Sequence, residues 1–417
     1  MRKLEERSER LRALELAYGA RNYDPLPVVL THGQGVWVED LDGNRYFDAL
    51  AGASALNFGH RHPRLVEAAH RQLDRLTLTT RHFHNDQFPE LCAELAEFAG
   101  KQRVLPMNTG VEAVETGIKI ARKWGYEYKG IAPDKARIIV CEGNFHGRTL
   151  TAISPSSDAR GRAGFGPFTP GFVTVPFGDA AALRAAVDDN TVAILVEPVQ
   201  YQRGPRIPPA DYLAHVAQIC SVHDILLVAD EVWTGLGRTG RHFACEHGNV
   251  EPDIYLLGKS LGGGIAPISA VVGNENVMDV MGPGIHGSTY SGNPLGSAVA
   301  RAALAELRES DLAERSGALG ARAAARLAAE AGPAVQQIRQ CGLWLALDID
   351  PAAGTARDVC ERLLDSGILT TPASAQAIRI VPPLVTTTEE LDWMLDRMLI
   401  VLDEAARHMR EAADPAM

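Results

Sequence analysis

The chain has 417 residues, a net charge of −11 at pH 7 and a mean hydropathy of −0.07, and 46% of its residues are hydrophobic. This length is sufficient for one large α/β domain and a smaller companion, and the composition is that of a globular enzyme rather than a disordered or membrane protein. The negative charge argues against nucleic acid as a partner, because binding to phosphate backbones requires clustered Lys and Arg.

The cysteines and the N-terminus indicate the compartment. Six cysteines are scattered along the chain without the spacing of a zinc site or a disulfide framework, which is typical of buried thiols in a reducing compartment. The N-terminus mixes charged residues with leucines and has no apolar signal segment, and no apolar run is long enough to span a bilayer. We therefore expect a cytoplasmic protein with no membrane partner.

The first 80 residues predict a helix, a hairpin and a second helix. Residues 1 to about 20 predict a charged amphipathic helix that is either solvated or packed against a partner subunit. Apolar alternation around Asp42 and Gly43 predicts a β-hairpin. Pro63 suits the first turn of a helix whose apolar face is formed by Leu65, Ala69, Leu73 and Leu76.

A short apolar strand from Val104 leads through Thr109 and Gly110 into a predicted helix. The free N–H groups and the positive dipole end of such a helix suit a phosphate, and glycine lets the backbone approach it. The alternative is an ordinary helix with Thr109 as its N-cap.

The middle of the chain alternates strands with helices, which predicts a doubly wound sheet. The predicted strands are Ile138–Cys141, Val192–Val196, Ile225–Ala229 and Ile254–Leu257. Beyond Pro294 we expect one long helix to about residue 332, then a smaller α+β domain with a strand at Leu343–Ile349 and a final amphipathic helix.

Two of these strands end in side chains that can act together in one site. The strand that ends at Leu257 is followed by Gly258 and Lys259, and the previous strand ends on Asp230. The C-terminal ends of parallel strands lie along one edge of a sheet, so Asp230 and Lys259 are expected to meet. A lysine that forms a Schiff base and an acid that pairs with a pyridinium nitrogen are what pyridoxal phosphate (PLP) requires. The alternative for Lys259 is a side chain that snorkels at a strand end.

Eight motifs in order make the chain resemble the class III PLP-dependent aminotransferases, most closely the ornithine aminotransferase branch. They are PMNTGVEAVETGIKIARKWGY, NFHGRT, FGPF, VEP, ADE, LLGKSLGGG, HGSTYSGNP and IRIVPPL. The resemblance implies the α/β fold type I of PLP-dependent transferases, with a large, mostly parallel sheet domain and a smaller α+β domain from the chain ends. We expect an N-terminal segment at 1–50, a large PLP-binding domain at 51–295 and a small domain at 296–417.

The resemblance also implies roles for individual residues. Lys259 would hold the cofactor as a Schiff base, Asp230 would pair with the pyridine nitrogen and Phe145 would stack on its ring. Backbone N–H groups of Gly110 and Val111 would bind the phosphate, joined by Thr289 of a second subunit, so that a homodimer shares its sites. The carboxylate-binding arginines would be Arg148 for ornithine and Arg379 for glutamate.

Three positions depart from the ornithine branch. Ala53 stands where a tyrosine holds the α-amino end of ornithine, and Gln202 replaces a glutamate that covers the second arginine. Trp233 replaces a glutamine that touches the ring hydroxyl, and its indole has one donor and no acceptor. We therefore expect an aminotransferase that moves an amino group between an ornithine-like amino acid and a 2-oxo acid, with altered substrate handling.

Other functions are compatible with parts of the same sequence. A PLP-dependent racemase or epimerase would need a second acid or base on the far face of the cofactor, for which Tyr201, His84 and His146 are candidates. The histidines around His82 are a weak indication of a metal, since no acid or cysteine completes a set, and we expect no metal site. Retention of Lys259 and Asp230 argues against a non-catalytic scaffold.

Overall fold

The computed structural model of the chain describes residues 2–413, and the side chains of residues 6–409. Its strands are β1 (Leu30–Gln34), β2 (Trp37–Asp40), β3 (Arg45–Asp48), β4 (Arg103–Met107), β5 (Arg137–Cys141), β6 (Phe172–Val175), β7 (Thr191–Val196), β8 (Leu226–Asp230), β9 (Ile254–Leu257), β10 (Ser269–Gly273), β11 (Val335–Gln340), β12 (Leu345–Ile349), β13 (Ile368–Leu369), β14 (Thr371–Pro372) and β15 (Ala377–Ile380).

The helices are numbered in the same way. They are α1 (Arg2–Tyr18), α2 (Ala51–Ser54), α3 (Pro63–Leu73), α4 (Phe88–Ala99), α5 (Gly110–Glu127), α6 (Leu150–Ile153), α7 (Ala159–Arg162), α8 (Ala180–Ala186), α9 (Tyr212–His223), α10 (Glu275–Met278), α11 (Pro294–Glu309), α12 (Leu312–Glu330), α13 (Ala356–Asp365) and α14 (Thr388–Ala413). Across the described range, no helix is both long and apolar enough to cross a membrane.

A seven-stranded sheet in the order β4-β10-β9-β8-β7-β5-β6 forms the centre of the fold. Only β10 runs antiparallel to its neighbours, and the pairs from β9 to β6 are parallel. Side chains alternate between its two faces: in β5, Ile138 and Val140 pack with α5, whereas Ile139 and Cys141 pack with α9. Helices cover both faces, which confirms the doubly wound, mostly parallel sheet.

The two ends of the chain meet outside this sheet. The hairpin of β2 and β3 is antiparallel, as predicted, and β13 joins it in parallel through the pair Ile368 and Phe47. A second small sheet, in the order β11-β12-β15-β14, is antiparallel and carries Arg379 on β15. The smaller α+β part is therefore built from both chain ends, while the boundaries at 50/51 and 295/296 stay predictions.

Two details of the predicted helices were wrong. The single helix expected between 294 and 332 is two helices, because Ser310 is extended (φ −124°, ψ 149°) and interrupts the hydrogen-bond ladder before α12 begins. Helix α3 ends at Leu73, and Leu73 and Leu76 are exposed rather than part of its buried face. In α14 the expected apolar face, with Met394 and Met398, is fully buried.

Candidate active site

Strands β8 and β9 bring Asp230 and Lys259 to one cavity of about 190 Å³ at the C-terminal edge of the sheet. Among the lining residues are six predicted site residues: Lys259, Asp230, Gly110, Val111, Phe145 and Trp233. The other five, Arg148, Arg379, Gln202, Ala53 and Thr289, are not among the described residues that line it. All the predicted cofactor residues except Thr289 thus converge on this cavity, and the four predicted substrate residues are outside its lining.

Lys259 is held in a strained and apolar position. Its φ of +46° is left-handed, a conformation that side chains other than glycine adopt mainly where the surroundings enforce it. Its Nζ lies 4.7 Å from the centroid of the Trp233 ring. Burial, together with the positive charge of Arg379, lowers the pKa of Lys259 to about 8, although Asp230 opposes this shift. A neutral amine is therefore accessible near physiological pH.

The carboxylate of Asp230 is oriented by two hydrogen bonds. Nδ1 of His146 donates to Oδ2 of Asp230 at 2.7 Å, and the N–H of Val232 donates to Oδ1 at 3.1 Å. Burial disfavours the charged imidazole, but the hydrogen bond and the charge of Asp230 outweigh it, so that the pKa of His146 is raised. His146 therefore holds the Asp230 side chain in place.

Glu197 is a second buried carboxyl group in the cavity and was not identified from the sequence as a site residue. It follows β7, and its Oε2 accepts a hydrogen bond from the N–H of Phe145 at 3.0 Å. Burial raises the pKa of Glu197 to about 8, while the nearby His146 opposes the shift. The VEP motif contains this acid, but no pattern in the sequence indicates that the side chain is fully enclosed.

The N-terminus of α5 provides free amides at the cavity. Thr109 is its N-cap and forms a capping box with Glu112, and the N–H of Ala113 bonds to the carbonyl of Thr109. The preceding N–H groups, of Gly110 and Val111, belong to the first helical turn and have no partner within a helix. A Cβ on Gly110 would lie 2.7 Å from Cγ1 of Val232, so glycine is required for this close approach.

The lining residues fit PLP. A buried primary amine, a hydrogen-bonded carboxylate, free helix N-terminal amides and the ring of Phe145 are the donor and acceptor types that its aldehyde, pyridine nitrogen, phosphate and ring need. Nε2 of His146 and Nε1 of Trp233 are buried and have no hydrogen-bond partner among the described residues. These two orphaned polar atoms are typical of a site whose hydrogen bonds are completed by a ligand.

Aromatic rings fill the substrate side. Tyr201 and Trp233 stack at 4.3 Å between centroids with planes 10° apart, and Phe145 and Trp344 contact them at 5.1 and 5.5 Å. These four residues, Phe145, Tyr201, Trp233 and Trp344, form the aromatic cluster. Ala53, which stands where the ornithine branch has tyrosine, packs against this cluster. Aromatic volume is therefore supplied by neighbours of position 53 rather than by position 53 itself.

Arg379 is half-buried beside the aromatic cluster and has no carboxylate partner among the described residues. Its Cζ lies 5.7 Å from the Tyr201 ring and 5.6 Å from the Trp233 ring, and its Nη2 donates to the carbonyl of Gln202 at 3.1 Å. Nε is buried without a partner within the described part of the chain, and burial lowers the pKa of Arg379. A neutral Gln202 thus contributes its backbone, not a charge, to this arginine.

Arg148 lies on the other side of Phe145 and is largely exposed. Its Cζ is 4.9 Å from the Phe145 ring, and its Nη1 is 3.7 Å from Oδ2 of Asp158. Asp158 was not identified from the sequence. Thr289 is exposed, and its neighbour Ser288 accepts a hydrogen bond from Asn108 of the same chain at 2.8 Å. The expected role of Thr289 in a second subunit stays a prediction.

Buried Arg238 ties together the loops that carry the substrate side. It donates to Oγ of Ser54 at 3.0 Å, to Oδ1 of Asn57 at 2.6 Å and to the carbonyls of Leu343 and Pro382 at 2.8 Å. These partners are close in sequence to Ala53, Trp344 and Arg379. Four neutral acceptors satisfy four of its five N–H donors, so Arg238 fixes the relative positions of the segments that carry these acceptors.

Comparison with known proteins agrees with this site. The family model "Aminotransferase class-III" matches residues 18–402, and the chain belongs to this family of PLP-dependent aminotransferases. It is 49% identical to the ornithine aminotransferase of Geobacillus sp. (strain WCH70) over 91% of this chain and 95% of that protein. The identity to the ornithine aminotransferase of Bordetella pertussis is also 49%, over 94% and 95% of the two chains.

Solved structures give the same result. The ornithine aminotransferase of Toxoplasma gondii, whose active site holds PLP at partial occupancy, superposes with a TM-score of 0.95 at 45% identity, covering 97% of this chain and 96% of that one. The acetylornithine aminotransferase of Elizabethkingia anophelis reaches 0.87 at 41% identity, with 95% and 99% covered. The chain is thus an aminotransferase of fold type I, and nothing in these comparisons supports a racemase or epimerase.

Proposed function

We propose that the protein transfers an amino group from ornithine, or a closely similar diamino acid, to a 2-oxo acid with PLP as cofactor. The observation that carries the proposal is the single cavity lined by Lys259, Asp230 and the N-terminus of α5. The relatives named above, which act on ornithine and acetylornithine, support a diamino acid as donor.

Several of the cavity residues are assigned a role in holding the cofactor. Asp230, held by His146, would pair with the pyridine nitrogen, and the N–H groups of Gly110 and Val111 would bind the phosphate. Phe145 would pack on the ring, and Trp233, which stands at the position of the family's glutamine, would lie beside it. When bound, PLP supplies an aldehyde carbon for the amine and an electron sink that stabilises negative charge on the neighbouring substrate carbon.

Lys259 is the acid–base residue of the reaction. Its Nζ takes the proton from the substrate carbon that bears nitrogen, and a pKa near 8 lets the same amine accept and return protons near neutral pH. The aromatic cluster and Val199 exclude water from this side of the cavity. His146 lines the cavity and contacts Asp230, whereas His84 is exposed and lies outside the lining.

The two arginines are assigned to substrate carboxylates. Arg148 receives the α-carboxylate of a donor that reacts through its distal nitrogen, and Arg379 receives the α-carboxylate of the 2-oxo acid. Arg379 is suited to this because it is half-buried, it forms no ion pair with a carboxylate among the described residues, and its buried Nε has no partner there. Ala53 leaves the α-amino group of the donor without the tyrosine contact of the family, which alters substrate handling.

Assembly and location complete the proposal. A homodimer in which Thr289 reaches the phosphate of the second subunit agrees with the exposure of Thr289 and Tyr290 on the monomer surface. The six cysteines form no disulfide within the described residues, which agrees with a cytoplasmic enzyme. We also keep the division into 1–50, 51–295 and 296–417 as the proposed domain boundaries.

The test is a half-reaction with L-ornithine and no 2-oxo acid. We expect the absorbance of the yellow PLP form to convert to that of the pyridoxamine form. Reduction of the product with borodeuteride, followed by NMR to locate the deuterium, then shows whether the distal or the α-nitrogen has left. If the absorbance stayed unchanged while the optical rotation was lost and the α-proton exchanged with solvent, the result would overturn amino transfer in favour of racemisation.

A further inference from the structure

Asp158 lies between two of the residues assigned to the substrate. Its Oδ2 is 3.7 Å from Nη1 of Arg148 and 3.5 Å from Nε2 of Gln202. Its Oδ1 accepts a hydrogen bond from the N–H of Arg160 and caps the short helix α7. The Asp158 side chain is 28% exposed and that of Arg148 is 61% exposed, so the pair borders solvent and a substrate can reach it.

The absence of a side chain at Gly161 leaves room for the pair of Arg148 and Asp158. A Cβ at that position would lie 2.6 Å from Nη1 of Arg148 and 2.8 Å from Oδ2 of Asp158. The guanidinium of Arg148 also lies over the ring of Phe145. Arg148 is therefore held between an aromatic face and a carboxylate, in the position where the substrate carboxylate is expected to bind.

The two substrate arginines differ in their partners. Arg148 has an internal carboxylate, whereas Arg379 bonds to the Gln202 carbonyl and forms no ion pair within the described part of the chain. Gln202 also supports this difference between the two arginines. Its side-chain amide donates to Asp158, whereas a glutamate at position 202 would place a second negative charge beside the Asp158 carboxylate.

We propose that Asp158 is a specificity-determining residue: its carboxylate pairs with Arg148 in the absence of substrate and competes with the carboxylate of any substrate that uses Arg148. Substrates that place their only carboxylate at Arg379 escape this competition. This inference rests on the proposed function, in which the two arginines receive carboxylates in different half-reactions. Since the pair is exposed, its effect is modest, and about a two- to fivefold change in affinity is expected from its removal.

Asp158→Asn tests the charge without removing the cap, because asparagine caps helices as well as aspartate does. We expect the apparent Kd for L-ornithine in the half-reaction to fall about two- to fivefold. The amino acceptor 2-oxopentanoate, which has one carboxylate, should show an unchanged KM. Equal changes for both substrates, or no change for ornithine, would overturn the proposal.

Asp179→Asn is the matched control. Asp179 caps α8 through the N–H of Ala182, so the same substitution changes a cap and a charge away from the cavity. Neither the Kd for L-ornithine nor the KM for 2-oxopentanoate should change in this variant. A fall in the ornithine Kd equal to that of Asp158→Asn would mean that net charge, and not the ion pair, is responsible.

A second measurement does not depend on turnover. Arg148 is labelled with phenylglyoxal in the holoenzyme and its modification is followed by peptide mass spectrometry. We expect labelling to be about two- to fivefold faster in Asp158→Asn than in wild type or Asp179→Asn, because the guanidinium is no longer paired. An unchanged rate would overturn the pairing. If the wild-type enzyme fails to convert ornithine, the proposed function is wrong. The labelling rates still show whether the Asp158 carboxylate pairs with the Arg148 guanidinium.

Discussion

The cofactor side and the substrate side of the cavity satisfy their ionisable groups in different ways. On the cofactor side, Asp230 and Glu197 are buried carboxyl groups that accept hydrogen bonds from backbone N–H groups, and Asp230 also accepts one from His146. On the substrate side, Arg148 and Arg379 lie against aromatic rings, and Nε of Arg379 has no partner within the described residues. The first side has its carboxyl groups oriented in advance, whereas on the second side Arg379 keeps a donor available for a substrate carboxylate and Arg148 is paired with Asp158.

This difference follows from the elements that carry the residues. Asp230 and Lys259 are at the ends of neighbouring parallel strands in the centre of the sheet, and Gly110 begins a helix packed on that sheet. Arg148 is on the loop before α6, and Arg379 belongs to the small antiparallel sheet. Changes on the cofactor side should therefore reduce the chemical step, whereas changes on the substrate side should mainly alter KM.

The largest effect is expected from Lys259→Ala. The variant lacks the amine that moves the proton, so kcat for amino transfer should fall by at least about 10³-fold. The rate of product formation from L-ornithine and a 2-oxo acid measures this. Lys135→Ala, at an exposed lysine, is the control and should retain full activity. Activity within tenfold of wild type in Lys259→Ala would remove Lys259 from the mechanism.

Asp230→Asn should have the next largest effect. Asparagine keeps the size of the side chain but loses the negative charge, and removal of one such electrostatic contact from an active site costs about 10²–10³ in kcat. His146→Gln leaves Asp230 charged but less well oriented, so its loss should be smaller, at about tenfold. If His146→Gln were more damaging than Asp230→Asn, His146 would be the primary group rather than a positioning residue.

On the substrate side, Arg379→Gln should act on binding. A charged hydrogen bond contributes about 1.5–3 kcal/mol, so KM for the amino acceptor should rise by roughly 10- to 100-fold with a smaller change in kcat. Steady-state kinetics with the 2-oxo acid varied at saturating ornithine measures KM and kcat for the variant and for wild type. Arg397→Gln, at an arginine stacked on Trp393, is the control. A drop in kcat with constant KM would assign Arg379 to the chemical step and weaken the distinction between the two sides.

The cofactor side was predictable because its residues obey rules of the fold. Strand ends, a glycine-rich turn and a small-residue helix N-terminus are visible in sequence, and parallel strands place their ends on one edge. Asp230, Lys259 and Gly110 were assigned to one site for these reasons, and they line one cavity. The role of His146 as the partner of Asp230 was not predicted, because a contact across 84 positions in sequence leaves no local pattern.

The substrate side was less predictable because its contacts are between loops. The sequence indicated that Arg379 lacks a glutamate partner at position 202, but it did not indicate that Asp158 pairs with Arg148. The stacking of Tyr201 on Trp233 likewise depends on two loops after different strands. The interruption of the helix after Glu309 was missed because Ser310 and Asp311 are a weak break in an otherwise helical pattern.

The smallest expected effect is a shift in the titration of Lys259, and it links the two sides. Burial and the charge of Arg379 lower the pKa of Lys259 to about 8, whereas an unperturbed lysine titrates at about 10.4. Acetylation of Lys259 in the PLP-free protein, followed by mass spectrometry, reports the neutral amine, so its rate should rise with pH through a midpoint near 8. Arg379→Gln removes a repelling charge and should move the midpoint to higher pH. Asp230→Asn removes an attracting charge and should move it to lower pH. A midpoint near that of free lysine, or one that neither substitution moves, would show that the two sides are electrostatically independent.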